Sequence, residues 1–346
     1  MQPMDTKPLL LTMGDACGIG PETIVKAFAD GALAQALVIG DPQVLRRAAR
    51  AAGLQPVLAS VDAPADAAQL PPGALGVLCP PGLPPGLAEL PWGCVHAACG
   101  RAAARCIEVA AQLLLRGQAA AMVTAPLHKE ALAAAGIGHP GHTEMLQALA
   151  TAPGAPPPPV RMMLANGELR VVLVSIHVAL RRAVELVSFD AVLQTICIAH
   201  DAAAAWGQPQ PRIAVAGLNP HAGEGGLFGD EEQRFITPAT AAARALGIDA
   251  RGPYAPDTVF MRARHAADHP GEFDLVVAMT HDHGLIPVKY LGVAQGVNVT
   301  LGLPFVRTSP DHGTAFDIAG SGRADASSLK AALHMARQLS CRGQPG

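Results

Sequence analysis

The stretch Val171-Val172-Leu173-Val174-Ser175-Ile176-His177 is a short β-branched apolar run that ends on a histidine. Two further stretches repeat the pattern. Ile213-Ala214-Val215-Ala216-Gly217-Leu218 is followed, after Asn219-Pro220, by His221, and Leu275-Val276-Val277-Ala278-Met279-Thr280 runs into His281. Runs of this composition read as buried strands, parallel ones covered on both faces. In open α/β sheets the functional crevice lies beyond the carboxyl ends of the strands. Imidazoles delivered there by three strands suit one shared ion. Neutral imidazole nitrogen fits Zn, Co or Mn, and three protein ligands leave a position for a substrate oxygen. No local pattern such as H-E-x-x-H is present, so the fold must assemble the site. His177, His221 and His281 are therefore the candidate metal ligands.

Outward from these runs, strand and helix patterns alternate. Lys7–Met13 reads as a first strand, followed by the glycine-rich turn Gly14-Asp15-Ala16-Cys17-Gly18-Ile19-Gly20 and a helix from Pro21, a residue suited to a first helical turn. Strands are expected at Ala36–Ile39, Ala119–Thr124, Arg212–Leu218 and Phe273–Thr280, with helices at Val44–Ala52, Ala97–Arg116, Phe189–Ala204, Glu231–Leu246 and Ser327–Leu339. Residues 56–92, dense in Pro and Gly, read as loops with extended pieces. Asn166-Gly167 between two apolar runs is the signature of a two-residue hairpin. Alternating elements with one inserted hairpin predict an α/β fold with a mixed sheet.

Composition removes several classes of function. The 346 residues are 50% hydrophobic, enough for a large core and for two lobes, yet no stretch approaches a membrane span. Aromatic residues are 3% of the chain and the formal charge is −3, which argues against a stacking surface or a polyanion partner such as nucleic acid. Seven cysteines without a C-x-x-C pair read as reduced, mostly buried thiols of a cytoplasmic protein, and the N-terminus lacks a signal-peptide pattern.

Other residues carry chemistry individually. Gly141-His142-Thr143-Glu144 opens a helix, where unpaired amides and the dipole favour an anion, although Thr143 also suits a plain N-cap. Lys289, Asn298 and Arg307 follow His281 in one segment; Arg supplies a planar fork for phosphate, Lys a point charge. The loop Asn219-Pro220-His221-Ala222-Gly223-Glu224-Gly225-Gly226 permits positive φ and close approach to a ligand. Thr280-His281-Asp282-His283-Gly284 reads as a turn in which Asp282 is placed to orient a ligating histidine. The turn at 14–20 matches neither G-x-G-x-x-G nor G-x-x-x-x-G-K-[ST], and no G-x-S-x-G elbow occurs.

Taken together, the stretches MGDACGIGPE (13–22), TAPLHKEAL (124–132), GHTE (141–144), GLNPHAGEGGLFGDEE (217–232), GPYAPDTVF (252–260), HDHGLIPVK (281–289) and GVNVTLGLPFVRTSPDHGTAFDIAGSG (296–322) resemble the 4-hydroxythreonine-4-phosphate dehydrogenase family of pyridoxal phosphate biosynthesis. The resemblance runs from about residue 8 to 335. It implies the fold of isocitrate and isopropylmalate dehydrogenases: two α/β/α lobes, a mixed sheet, an inter-lobe active-site cleft and a homodimer whose subunits share the active site. The lobes are expected at 1–135 plus 295–346 and at 136–294, the second carrying the metal and the dimer interface. The family's three metal-binding histidines fall on His177, His221 and His281, and its substrate residues on His142, Thr143, Lys289, Asn298 and Arg307. One metal ligand is expected from the partner subunit. The stretch 311–320 resembles the loop that holds the adenosine end of the dinucleotide, implying His312, Gly313, Thr314, Ala315 and Asp317 as cofactor contacts.

The implied reaction is oxidation of 4-phosphooxy-L-threonine by NAD or NADP with a divalent metal (Zn, Mg, Mn or Co). The resulting 3-keto acid loses CO2 to give 3-amino-2-oxopropyl phosphate. Lys289, Asp257 and a metal-bound water are the candidate bases. The chain departs from the family where His283 replaces a common Gln, Thr280 a common Tyr, and Asp15 and Cys17 the Glu and Ala of some members. These changes bear on the substrate. A related branch oxidises 4-phospho-D-threonate or 4-phospho-D-erythronate, and another a dihydrodiol of an aromatic dicarboxylate, which the phosphate-type residues disfavour. A metal-dependent hydrolase also uses three histidines, but the dinucleotide loop speaks against it. A non-catalytic binding homologue is disfavoured because none of the three is lost.

Overall fold

A computed structural model describes residues 7–267, 269–292 and 295–341 of the chain. From the N-terminus it begins with β1 (Leu9–Thr12), α1 (Gly20–Ala29), β2 (Ala36–Ile39), α2 (Pro42–Ala51), β3 (Val57–Ser60), β4 (Ala74–Leu78), α3 (Ala97–Leu115), β5 (Ala121–Thr124), α4 (Lys129–Ala134) and α5 (His142–Ala150). The hairpin strands follow, β6 (Arg161–Ala165) and β7 (Arg170–Leu173), then α6 (Leu180–Leu186), α7 (Phe189–Ala205) and β8 (Ile213–Ala216). Next come α8 (Thr237–Ala245), β9 (Ala250–Tyr254), α9 (Val259–Ala263), β10 (Leu275–Ala278), α10 (His281–Tyr290), β11 (Val297–Leu301), β12 (Val306–Pro310) and α11 (Ser327–Cys341).

The chain divides into two compact units, Met1–Pro159 with Leu303–Cys341, and Val160–Gly302. The first boundary falls later than the sequence suggests, and the return falls at 303 in place of 295. The reason is packing: Met145 and Leu146 of α5 are buried in the same core as Leu10, Leu37, Ile39 and Met122 of the strands and Cys106, Ile107 and Leu114 of α3. Residues 136–159, with His142 and Thr143, thus belong to the first unit.

In the first unit the strand order is β3-β4-β2-β1-β5-β12, with neighbouring strands parallel. Strands β1, β2 and β5 are buried on both faces, as their near-continuous apolar sequences require. α3 is rich in alanine because it must approach closely: a Cβ on Gly100 would collide with the backbone of Ala131.

In the second unit the order is β11-β6-β7-β10-β8-β9. β6 is antiparallel to both β11 and β7, whereas β7, β10, β8 and β9 run parallel, so the mixed sheet arises from the hairpin. Val171, Leu173, Ala214, Ala216, Val276 and Ala278 bury one face against Phe260, Phe273, Leu285 and Val288. Each fully buried Val or Leu contributes about 1.5–3 kcal/mol relative to exposure. Five elements of this unit were not expected from sequence: α6, α9, α10, β9 and β11. The stretch 280–284, expected as a turn, is the start of α10. Gly284 and Pro287, which read as helix breakers, lie inside it. A Cβ on Gly284 would collide with Leu173, so the glycine is there for the packing of α10 onto β7. The expected helix from Glu231 opens with a π-helical stretch, Glu232–Ile236, before α8. Among the described residues no single helix is long and apolar enough to cross a membrane.

Candidate active site

β7, β10 and β8 are three neighbouring parallel strands, and each of the three histidines lies beyond the carboxyl end of one of them. The rings of His177 and His281 lie 5.4 Å apart between centroids, tilted by 48°. His281 is the first residue of α10, and its Nδ1 lies 2.8 Å from Oδ1 of Asp282. That contact selects the tautomer with the proton on Nδ1 and leaves Nε2 as a donor to a metal. The ring donor atoms of His177, His221 and His281 do not all fall within 4.8 Å of one another, so one chain brings two of them side by side and does not close the set. The side-by-side pair and the Asp282 contact fit a divalent ion.

His177 (φ 39°) and His221 (φ 53°) both occupy left-handed backbone, uncommon for non-glycine residues and concentrated at functional sites. His221 belongs to a run in which Ala222, Gly223, Glu224 and Gly225 are also left-handed. Such a run costs about 1–2 kcal/mol per non-glycine residue, so something must hold it. The buried Glu232 carboxylate does so. Its Oε1 accepts from the amides of Leu218 (2.7 Å) and Asn219 (2.8 Å), and its Oε2 from the Asn219 side chain (2.9 Å). A Cβ on Gly223 would stand 2.8 Å from that carboxylate, which explains the glycine. Gln233 Nε2 donates to the Gly225 carbonyl at 2.8 Å and closes the loop. His221 itself is exposed beside Phe228.

His283, also on α10, is half-buried with Nδ1 lacking a partner. Burial lowers its pKa, with Asp282 opposing. Lys289 is half-buried two turns along α10, and Asn298 is half-buried on β11. Asp257 lies exposed in the turn before α9.

The first unit contains a buried cation. Arg307 on β12 is 5% exposed, and its guanidinium donates to Thr124 Oγ1 at the end of β5, from Nη2 at 2.6 Å and from Nε at 3.2 Å. Burial lowers its pKa to about 10. His142 opens α5, where burial first and the Arg307 charge second hold its pKa well below the ordinary imidazole value. Its Nε2 is buried without a partner. The N-cap of α5 is Gly141, whose extended backbone provides no capping side chain, so Thr143 is a first-turn residue and not the cap. A buried guanidinium, a neutral imidazole and uncapped helix amides are groups of the kind that can receive phosphate or carboxylate.

The stretch 311–320 is anchored against the glycine-rich turn at 14–20. Ile19 N–H donates to the Thr314 carbonyl at 3.0 Å, and a Cβ on Gly18 would stand 3.0 Å from Thr314. Ala315 is left-handed at φ 41°. Phe316 stacks on His128 at 4.6 Å, and a Cβ on Gly93 would stand 2.6 Å from the Phe316 carbonyl. Thr314 is buried, Gly313 and Asp317 are exposed, and His312 holds the Gly313 carbonyl near its Nδ1. The glycines at 18 and 93 are thus spacers for this stretch.

Thr124 and Glu232 act at these places and were not singled out from sequence. Thr124 is a polar residue closing an apolar strand, a signal the histidine runs also carry. Glu232 gave no signal, since an acidic residue at a helix start is common.

The family described as pyridoxal phosphate biosynthetic protein PdxA matches residues 32–336. A 4-hydroxythreonine-4-phosphate dehydrogenase of Beijerinckia indica is 54% identical over 96% of this chain and 95% of its own length. A D-threonate 4-phosphate dehydrogenase of Salmonella typhimurium is 46% identical over 97% of this chain and 100% of its own. The crystal structure of a 4-hydroxythreonine-4-phosphate dehydrogenase from Klebsiella pneumoniae superimposes with a TM-score of 0.87 at 44% identity, covering 97% of this chain and 100% of that one. With strand-end histidines in one unit, a buried guanidinium in the other and this likeness along nearly its whole length, the chain belongs to the PdxA family.

Proposed function

We propose that the protein oxidises 4-phosphooxy-L-threonine with NAD or NADP, giving a 3-keto acid that loses CO2 to form 3-amino-2-oxopropyl phosphate. The observation that carries this reading is the buried Arg307–Thr124 pair beside the unpartnered Nε2 of His142, a pocket suited to a phosphoryl group. His177, His221 and His281 are the ligands of a divalent ion, and a second copy of the chain in a homodimer completes the set that one chain leaves open. The exposed Leu227 and Phe228 next to His221, and Val178 and Leu180 next to His177, support such a shared arrangement.

When bound, the ion supplies Lewis-acid polarisation of the substrate hydroxyl, and the dinucleotide supplies the hydride acceptor. The chain's residues position the reacting carbon. Arg307, His142 and Thr143 hold the phosphate, and Lys289 and Asn298 hold the remaining polar groups. Fixing both ends of a small substrate removes much of the entropic barrier. Asp282 keeps the His281 ring in one orientation. His312, Gly313, Thr314, Ala315 and Asp317 hold the dinucleotide. Lys289 and Asp257 are the candidate bases, and the pH–rate profiles of Lys289→Met and Asp257→Asn distinguish them: loss of the acidic limb, along which the base is protonated, identifies the group.

The test is formation of reduced dinucleotide from 4-phosphooxy-L-threonine, 4-phospho-D-threonate and 4-phospho-D-erythronate, each with and without chelator. The hydroxythreonine ester is expected to have the highest kcat/KM, and chelation to abolish the rate until metal is restored. A higher kcat/KM for phospho-D-threonate would move the protein to the branch of the Salmonella relative, with His283 in the place of a common Gln as the first residue to exchange. Full activity after complete metal removal would overturn the role of the histidines.

A further inference from the structure

A second group of side chains able to bind a metal lies in the first unit, apart from the candidate metal, substrate and cofactor residues, although it includes Asp15 and Cys17 of the turn where the chain departs from some family members. Asp15 and Cys17 sit in the turn after β1, and Cys99 in the first turn of α3; they are 1%, 0% and 0% exposed. Their donor atoms all lie within 4.8 Å of one another. Cys17 Sγ is 3.3 Å from Cys99 Sγ and 3.7 Å from the half-exposed Cys94 Sγ. The Cys17 amide donates to Asp15 Oδ1 at 2.8 Å, while Asp15 Oδ2 is buried with no partner. An orphaned buried carboxylate oxygen aimed into a cluster of sulfurs is costly unless a cation or proton satisfies it.

We propose that Asp15, Cys17 and Cys99, with Cys94 adjoining as a fourth donor, form a binding site for a thiophilic divalent ion of the zinc and cadmium class. Sulfurs on a tetrahedral zinc, with Zn–S about 2.3 Å, stand about 3.8 Å apart. The observed 3.3 and 3.7 Å are closer to that spacing than to the S–S bond of about 2.05 Å. A divalent ion with one carboxylate and two thiolates is a monoanion that the Arg47 cation neutralises; the Cys94 thiolate as fourth donor leaves one further negative charge, facing solvent where Cys94 is half-exposed. Arg47 is fixed there by the Ala16 carbonyl at 2.6 Å and by stacking over Trp92 at 3.7 Å. The hydrogen bond with Cys99 and then burial raise the Cys17 pKa, so the thiol keeps its proton until a metal displaces it. The Gly93 amide donates to the Cys17 carbonyl at 2.9 Å, and Ile19 to Thr314 at 3.0 Å, so the ion braces the turn that carries the 311–320 stretch.

The test is titration of the reduced, full-length protein with Cd(II), read as ultraviolet thiolate-to-cadmium absorption, which the histidine site does not produce. The absorption is expected to saturate at one equivalent per chain, to persist in His281→Ala, and to vanish in Cys17→Ser/Cys99→Ser. Asp15→Asn is expected to weaken cadmium binding about tenfold. No absorption in the native chain, its persistence in the double variant, or a Cys17–Cys99 disulfide under reducing conditions would each overturn the proposal. X-ray absorption of the zinc-loaded native chain gives a reading that needs no variant: sulfur scattering at about 2.3 Å is expected, and a shell of nitrogen and oxygen alone would refute the site.

Discussion

Arg307 lies against Thr124, with its Nη2 2.6 Å from the threonine hydroxyl, so a strand-end hydroxyl holds a buried guanidinium in place. Charge-assisted bonds to a phosphoryl group are worth about 1.5–3 kcal/mol each. Arg307→Ala is expected to lower kcat/KM for a phosphorylated substrate about 100-fold, mainly through KM, in steady-state assays. Thr124→Val, which only frees the guanidinium, is expected to cost about tenfold.

Burial of the Arg307 guanidinium carries a desolvation cost, as its lowered pKa indicates. Replacing a buried charge by an apolar side chain of similar volume is often neutral or stabilising. Arg307→Met is expected to melt at or above the parent temperature while losing substrate binding. A drop of several degrees, measured without ligand, would show that the fold itself compensates the Arg307 charge.

His142 gives a pH signature. Its folded pKa is depressed, by burial first and Arg307 second, so the unfolded chain takes up its proton more readily. Stability from keeping it neutral is present above the unfolded value of about 6.5 and is lost as pH falls below it. Urea unfolding from about pH 8 to pH 5 is expected to show falling stability below about 6.5. His142→Asn is expected to flatten that fall.

Glu232 is expected to control the His221 loop. Glu232→Ala leaves the amides of Leu218 and Asn219 without their acceptor and releases the left-handed run. A loss of about 2–4 kcal/mol on chemical unfolding is expected. Hydrogen exchange should quicken across residues 217–229, and divalent-metal affinity should fall although no candidate ligand has changed.

Gly93→Ala tests the stretch 311–320. Gly93 is left-handed at φ 69°, and the new Cβ would press on the Phe316 carbonyl. The expected outcome is a cost of about 1–2 kcal/mol and weaker dinucleotide binding, read by titration calorimetry. An unchanged Kd would separate this stretch from the cofactor.

The strands bearing the histidines were legible because a both-faces-buried strand must be apolar along its length, and Val171–Leu173, Ile213–Ala216 and Leu275–Ala278 are. The hairpin was legible because Asn166-Gly167 is a local turn signal, and Asn166 Oδ1 does accept the amides of Glu168 and Leu169. α10 was not, because Gly284 and Pro287 are local breakers whose cost is offset by packing against β7, a strand over a hundred residues earlier.

Local composition and spacing thus determined an α/β chain with histidines beyond strand ends and a helix start fit for an anion, since these depend on near neighbours in sequence. Tertiary structure alone decided that β7, β10 and β8 are adjacent, that Arg307 meets Thr124 across 183 residues, and that Asp15, Cys17 and Cys99 share one buried point. Burial and long-range contact, which set the charge state and the stored backbone strain of a site, depend on which distant strands the fold makes neighbours.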